Sequence, residues 1–191
     1  MPNIKAVKYE ADLDKKFAEW ICTVPGGDKI RQCIQCGTCT GSCPMSVCMD
    51  YGPRRIIAMA RAGFKQEVLS SQTIWLCSSC YSCSVRCPVD IKITDIMYAL
   101  KRRSFDEDAG SKNTSKVLAE QFTAFIHRFG RVNEGMVAAL TFMRTNPLQA
   151  LGMASLGMRL LQAGRMTIIP NSIKRRDELK KILDACQGGD E

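Results

Sequence analysis

Residues 33–44 read CIQCGTCTGSCP, and residues 77–88 repeat the same pattern as CSSCYSCSVRCP. Both copies have the spacing C-x2-C-x2-C-x3-C-P, and the second begins 44 residues after the first. A [4Fe–4S] cube takes four thiolates, and this spacing is typical of bacterial proteins that bind such cubes. Small residues between the cysteines allow backbone N–H groups to approach the cluster sulfides. The repeat therefore predicts two [4Fe–4S] clusters.

The fourth cysteine of each copy points to the neighbouring cluster. In two-cluster proteins the cysteine before the proline ligates the other cluster. The proline keeps that cysteine extended, so that its thiolate turns away from its own loop. The expected ligands are Cys33, Cys36, Cys39 and Cys87 for cluster 1, and Cys77, Cys80, Cys83 and Cys43 for cluster 2.

Eleven cysteines in 191 residues indicate either a disulfide framework or metal ligation. The first 20 residues contain no basic segment followed by an apolar one, so we expect no secretory signal and a cytoplasmic location. Thiols stay reduced in that compartment, which favours ligation. Zinc is the competing metal, but zinc sites usually take C-x2-C pairs from separate loops. Iron–sulfur ligation is therefore the preferred interpretation.

Three cysteines and one histidine remain without an assigned role. We expect Cys22 in the core and Cys186 on the apolar side of the last helix, because buried free cysteine is ordinary. Cys48 follows the first motif closely enough to line its cluster. His127 is expected at a helix surface or boundary, with no second metal-site candidate near it.

Outside the motifs the apolar residues recur at helical spacing, which predicts a mainly α fold. The predicted helices span residues 12–21, 53–69, 95–103, 115–129, 133–145 and 147–164, with a last helix that Ser172 caps. Short strand signals occur at residues 4–7 and 167–169. The expected domains are an N-terminal helical segment at 1–27, the two-cluster domain at 28–104 and a helical, partner-docking extension at 111–187.

Composition and charge exclude several other classes of protein. The formal net charge is +8, but the basic residues follow no recognisable nucleic-acid-binding motif. No apolar run reaches about 18 residues, so we expect no transmembrane helix. A G-x-G-x-x-G fingerprint is missing, which argues against a flavin or nicotinamide site in this chain.

Residues 33–44, 51–57 and 77–88 together resemble the C subunit of heterodisulfide reductase. The segment 129–131 and the helical tail are similar to the same family, so the resemblance covers roughly residues 15–185. The cysteine part is shared with many α-helical ferredoxin domains, including those of succinate dehydrogenase and glycolate oxidase. The size and the helical tail favour the small, stand-alone C subunit.

The resemblance implies an α-helical ferredoxin domain with two [4Fe–4S] clusters and a C-terminal helical extension. It also implies a role in methanogenesis. In that family, the C subunit relays electrons from the flavin-bearing, bifurcating A subunit to the catalytic B subunit, which reduces the CoM-S-S-CoB heterodisulfide. Hydrogenase or formate dehydrogenase subunits supply electrons to the flavin-bearing subunit. All eight cluster cysteines of the family motif are present here.

The chain departs from the catalytic subunit of that family, because it lacks the paired-cysteine CCG motif. We therefore expect a non-catalytic electron-transfer subunit of an oxidoreductase. Two alternatives stay open: an equivalent relay subunit of another respiratory or sulfur-metabolising complex, and a free ferredoxin-like shuttle. The long helical half argues against the shuttle, since a diffusing carrier does not need it.

Overall fold

The computed structural model describes residues 9, 13–107, 109, 114–164 and 171–187. The chain divides into two compact units, Met1–Ser111 and Lys112–Glu191. Every regular element in the described ranges is helical, which confirms the prediction of a mainly α fold. The strand signals at residues 4–7 and 167–169 lie outside the described residues.

The first unit contains both cysteine motifs. Its helices are α1 (Lys15–Thr23), α2 (Thr38–Gly41), α3 (Pro53–Ala62), α4 (Lys65–Ser70), α5 (Gln72–Leu76), α6 (Ser82–Val85) and α7 (Ile93–Asp106). Short 3₁₀ turns at Ile30–Gln32 and Ser46–Cys48 flank the first motif. Helices α1, α3, α4, α5 and α7 form the scaffold around the motifs, whereas α2 and α6 lie inside the motifs.

The apolar core of the first unit comes from the scaffold rather than from the cysteine loops. Its largest fully buried apolar side chains are Phe17, Ile21, Ile30, Ile56, Ile57, Leu69, Ile74, Ile91, Ile96, Met97 and Leu100. Burying each such side chain stabilises the fold by about 1.5–3 kcal/mol. Helix α2 buries no residue and α6 buries only Ser84. The loops therefore depend on other interactions to hold their shape.

The single helix predicted over residues 53–69 is wrong, because the chain breaks at Gly63 into α3 and α4. Gly63 adopts the left-handed region with φ 88°. Its carbonyl accepts a hydrogen bond of 2.9 Å from the Asp14 backbone N–H. A Cβ atom at this position would lie 2.7 Å from the Asp14 carbonyl oxygen. The tight approach of the two backbone segments thus requires glycine.

The second unit contains α8 (Thr114–Phe129), α9 (Glu134–Thr145), α10 (Pro147–Gly152), α11 (Ala154–Gln162) and α12 (Arg176–Gln187). Gly130 ends α8 at φ 69°, and the Asn133 side chain caps α9 by accepting from the Met136 N–H at 3.1 Å, as predicted. The helix predicted over 147–164 is divided at Met153. Ser172 does not cap the last helix, because its hydroxyl donates to the Phe129 carbonyl at 3.2 Å.

Apolar side chains remain exposed on the second unit. Leu148 and Leu151 of α10 are 83% and 73% exposed, and Ile182 of α12 is 60% exposed. Helices α9, α10 and α11 line an apolar cavity of about 1040 Å³. Among the described helices, none has the length and apolar character that crossing a membrane requires.

The Gly63 contact leads to a first prediction. Gly63→Ala should lower the free energy of unfolding of the first unit by about 1–3 kcal/mol, since the added Cβ meets backbone at a left-handed position. Urea unfolding of the anaerobic protein, followed by circular dichroism, measures the change.

Gly41→Ala is the matched control, because a Cβ there meets no atom within 4 Å. This control should change the unfolding free energy by less than about 1 kcal/mol. Equal effects of the two substitutions would contradict the explanation.

Candidate metal centre

The two cysteine loops share one backbone shape. Gln35 and Ser79, which lie at equivalent positions of the repeat, both have φ 57°. Two residues later, Gly37 has φ 84° and Tyr81 has φ 61°. Left-handed conformations are uncommon outside glycine, so their recurrence at matching places marks a constraint common to both loops. The internal repeat of the sequence is therefore also a repeat of local structure.

The third cysteine of each motif lies on a short helix, and these two helices contact each other. Cys39 lies on α2 and Cys83 on α6, and both are half-buried. Burial raises the pKa of the Cys39 thiol to about 11, and the nearby Cys83 and Cys33 thiols add to the increase. Burial likewise raises the pKa of Cys83. Ionising these thiols therefore requires positive charge, which a bound iron cluster supplies.

The second cysteine of each motif is exposed. The Sγ of Cys36 lies 3.3 Å from the Thr38 hydroxyl, and the Sγ of Cys80 lies 3.5 Å from the Ser82 hydroxyl. These hydroxyls lower the pKa of both thiols. Each loop thus has an inner cysteine beside the other loop and an outer cysteine at the surface.

The structure brings together the four thiols that the sequence groups as cluster 1. One cavity is lined by the cysteines Cys33, Cys36, Cys39 and Cys87. Gly37, Pro88 and Arg54 line the same cavity. The four thiols are free, and three come from the first loop while the last comes from the second. This donor set fits a [4Fe–4S] cube, which takes one thiolate on each iron.

Fewer contacts in the described part of the chain connect the four cysteines predicted for cluster 2. Cys77 and Cys83 are close enough for the charge of one to raise the pKa of the other. Cys43 follows α2 by two residues, and α2 contacts the α6 helix that carries Cys83. Within the described ranges, no three His, Cys, Asp or Glu side chains are grouped closely enough for one metal ion. The ligand sets of both clusters therefore stay predictions, with the shared cavity supporting the first set.

Sequence reasoning missed a pair of remote helix caps. The Thr40 hydroxyl, directly after Cys39, accepts a hydrogen bond of 3.0 Å from the Arg54 N–H near the start of α3. The Ser84 hydroxyl, directly after Cys83, accepts one of 3.0 Å from the Thr94 N–H near the start of α7. Such caps satisfy helix donors that otherwise lack partners. The sequence offered one signal for these caps, because a hydroxyl residue follows the third cysteine in both motifs.

Two basic side chains make a second matched pair of contacts. The Arg61 Nη1 donates to the Cys33 carbonyl at 2.7 Å, and the Lys101 Nζ donates to the Cys77 carbonyl at 3.0 Å. Arg61 is the ninth residue of α3 and Lys101 is the ninth residue of α7. Each loop is consequently attached at both ends to the long helix that follows it.

Asp50 connects the exit of the first motif to the entrance of the second. Its carboxylate accepts hydrogen bonds of 2.9 Å from the Ser71 hydroxyl and from the Gln72 and Thr73 N–H groups. The Thr73 hydroxyl donates to the same carboxylate. Although partial burial opposes ionisation, the Thr73 hydroxyl and the other donors lower the pKa of Asp50. Helix α5, which the carboxylate caps, ends at Leu76, directly before Cys77. Sequence reasoning missed this aspartate because its partners are distant in the chain.

The unassigned residues lie apart from the thiol cavity. Cys22 is half-buried against the core, and its Sγ donates to the Ala18 carbonyl at 3.4 Å. Cys48 is exposed and does not line the cavity around Cys33. Cys186 is exposed on α12, and His127 is exposed in the last turn of α8.

The Asp50 network generates a second prediction. Asp50→Asn should lower the free energy of unfolding by about 1–3 kcal/mol at pH 7, because the buried donors lose a charged acceptor. Chemical unfolding of the anaerobic protein is the measurement.

Asp106→Asn provides the control, since Asp106 is exposed at the end of α7. It should change stability by less than about 0.5 kcal/mol. An Asp50→Asn protein as stable as this control would contradict the assigned role.

Residues 29–91 match the 4Fe-4S dicluster domain family. The matched range contains both cysteine motifs and the connection between them. The match confirms the sequence prediction that the chain binds two [4Fe–4S] clusters.

The chain is similar to proteins of three methanogenic organisms. It is 47% identical over 88 residues to the C subunit of the H(2):CoB-CoM heterodisulfide,ferredoxin reductase of Methanothermobacter marburgensis, covering 46% of this chain and 47% of that protein. It is 43% identical over 97 residues to the C2 subunit of the H(2)/formate:CoB-CoM heterodisulfide,ferredoxin reductase of Methanococcus maripaludis, covering 47% and 52%.

It is also 46% identical over 76 residues to the C subunit of the Ferredoxin:CoB-CoM heterodisulfide reductase of Methanosarcina mazei, covering 40% and 47%. The chain spans about half the length of these curated relatives. The three names differ in the electron donor, and each of them includes the CoB-CoM heterodisulfide.

Proposed function

We propose that the chain is the electron-relay subunit of a cytoplasmic heterodisulfide reductase complex, since residues 29–91 match the dicluster family and about half of the chain is similar to C subunits of such reductases. Its two [4Fe–4S] clusters carry electrons from a flavin-bearing A subunit to a catalytic B subunit, which reduces the CoM-S-S-CoB disulfide. Cys33, Cys36, Cys39 and Cys87 hold one cluster, and Cys77, Cys80, Cys83 and Cys43 hold the other.

The contact between α2 and α6 is the observation that carries this proposal. It places Cys39 beside Cys83, so that the inner sides of the two loops face each other. Cys36 and Cys80, the outer cysteines, are exposed. A relay needs two neighbouring carriers, each with an edge that a partner reaches. The arrangement supplies both features within one unit.

Each bound cluster supplies a site that accepts and releases a single electron. The residues of the chain hold and orient the thiolates around it. The hydroxyls of Thr40 and Ser84 attach the loops to α3 and α7, and the Asp50 carboxylate fixes α5 ahead of Cys77. This rigid frame keeps the spacing between the loops constant while electrons pass.

The names of the relatives favour one electron acceptor, the heterodisulfide, and an electron donor that varies among complexes. Hydrogen, hydrogen or formate, and ferredoxin stand as donors in the names of the three relatives, alongside the heterodisulfide. We therefore assign hydrogenase or formate dehydrogenase subunits an indirect role, through the flavin-bearing subunit. The free thiols of the chain suit a reducing compartment, which supports the cytoplasmic assignment.

The second unit favours a permanent subunit over a diffusing shuttle. Leu148 and Leu151 leave large apolar side chains in water, and Leu151 also lines the cavity between α9, α10 and α11. Exposed apolar patches of this kind mark interfaces with other proteins. A carrier that exchanges rapidly among partners gains nothing from such a surface.

A third prediction tests the crossed ligands. Cys87→Ala should remove the cluster of the first loop and retain that of its own loop, because Cys87 lines the cavity with Cys33. Its electron paramagnetic resonance spectrum should therefore match that of Cys36→Ala and differ from that of Cys80→Ala. The iron content should fall from about eight to about four per chain.

Cys186→Ala is the control for this experiment, since Cys186 is exposed in the second unit. It should retain both signals and about eight irons. A Cys87→Ala spectrum that matches Cys80→Ala would show that each loop completes its own cluster.

A fourth prediction concerns the complex. Anaerobic capture of the tagged chain should recover a flavoprotein and a further protein with paired-cysteine motifs. The clusters of the chain should be reduced only when the flavoprotein is present, and reoxidised by the heterodisulfide only when the paired-cysteine protein is present. Stopped-flow absorbance of the iron–sulfur chromophore measures both steps.

The same experiment separates the other functions. A lone 21.2 kDa species that exchanges electrons freely with soluble carriers would identify a shuttle. Reoxidation by a quinone or a sulfur carrier, with no response to the heterodisulfide, would identify a relay of another respiratory or sulfur-metabolising complex.

A further inference from the structure

Arg61 and Lys101 make matching contacts with the two cysteine loops. Each cation donates to the carbonyl of the first cysteine of a motif, Cys33 or Cys77. Both side chains are half-buried, and each lies nine residues into the helix that its motif caps. The two cations are 40 residues apart in the chain, whereas the motifs are 44 apart, so they match by their place on the helix and by their acceptor rather than by the sequence repeat.

Neither cation forms an ion pair with a described carboxylate. The described salt bridges near the first unit use other bases, such as Lys29, Lys65 and Arg103. Arg61 lines a cavity with Ala18, Cys22, Ile30 and Arg31, which brings no acid to it. Lys101 lies 5.5 Å from the centre of the Tyr98 ring. Among the described residues, the positive charge therefore stays uncompensated beside each loop.

A cation at this place acts on a cluster in two ways. Reduction adds one negative charge to the cluster, and a nearby cation stabilises the reduced state more than the oxidised one. Charge and hydrogen bonding around the sulfurs set the reduction potentials of such clusters. The hydrogen bond also fixes the plane of the peptide that follows Cys33 or Cys77, because that peptide is planar.

We infer that Arg61 and Lys101 are positioning residues that raise the reduction potentials of the two clusters separately, Arg61 for the cluster of the Cys33 loop and Lys101 for the cluster of the Cys77 loop. The inference rests on the proposed ligand assignment. Each cation would then set the reduction potential of one cluster without changing that of the other.

The test is an anaerobic redox titration of the full chain with both clusters loaded, followed by electron paramagnetic resonance. Arg61→Gln should lower the ratio of reduced to oxidised first-loop cluster about tenfold at a fixed potential, which corresponds to about 59 mV for one electron. The second cluster should keep its wild-type potential. Lys101→Gln should produce the opposite pattern, and the Cys36→Ala and Cys80→Ala proteins identify the two signals.

Three control variants separate the local cation from general charge. Arg102→Gln removes an equal charge from the residue next to Lys101, but Arg102 is exposed, so both potentials should stay unchanged. Arg61→Lys and Lys101→Arg keep a cationic donor and should restore potentials close to wild type.

Unshifted potentials in both Gln variants would overturn the inference. So would equal shifts of both clusters, or a shift of the same size in Arg102→Gln. Loss of a cluster from either Gln variant would assign the side chain to folding and would also overturn it. The wild-type titration comes first, because fewer than two signals there would reject the proposed ligands themselves rather than this inference.

Discussion

The contact between helices α2 and α6 is the constraint on which the rest of the first unit depends. These helices carry no apolar core of their own, yet they bring Cys39 beside Cys83. Burial and mutual repulsion oppose ionisation of the thiols at that contact. Bound iron clusters offset this cost, so cluster binding contributes directly to folding energy. The scaffold must hold the two loops together against that cost.

The scaffold meets this demand with two similar sets of anchors. In each half, a hydroxyl beside the third cysteine caps the next long helix, and a cation on that helix holds the carbonyl of the first cysteine. The anchors are Thr40 and Arg61 in one half, and Ser84 and Lys101 in the other. Asp50 then ties the halves together. Function follows from this rigidity, because a relay requires carriers at constant spacing.

Cysteine spacing alone could predict the two [4Fe–4S] clusters, which the dicluster family match confirms, whereas the grouping of the ligands stays a prediction. Helical periodicity could predict the buried faces, such as Ile96 and Leu100 of α7. It could not predict the break at Gly63, which depends on the backbone of Asp14. The roles of Asp50 and Arg61 were hidden for the same reason. Their partners are distant in sequence, and a single charged residue carries no periodic signal.

Each cluster is proposed to take its fourth thiolate from the opposite loop. Iron anomalous scattering from crystals of the anaerobically prepared chain would locate both clusters and their sulfur ligands. We predict two four-iron peaks, with the Cys87 sulfur bound to the cluster of Cys33 and the Cys43 sulfur bound to the cluster of Cys77. Single-metal zinc sites, or cubes that each bind all four cysteines of one loop, would contradict it.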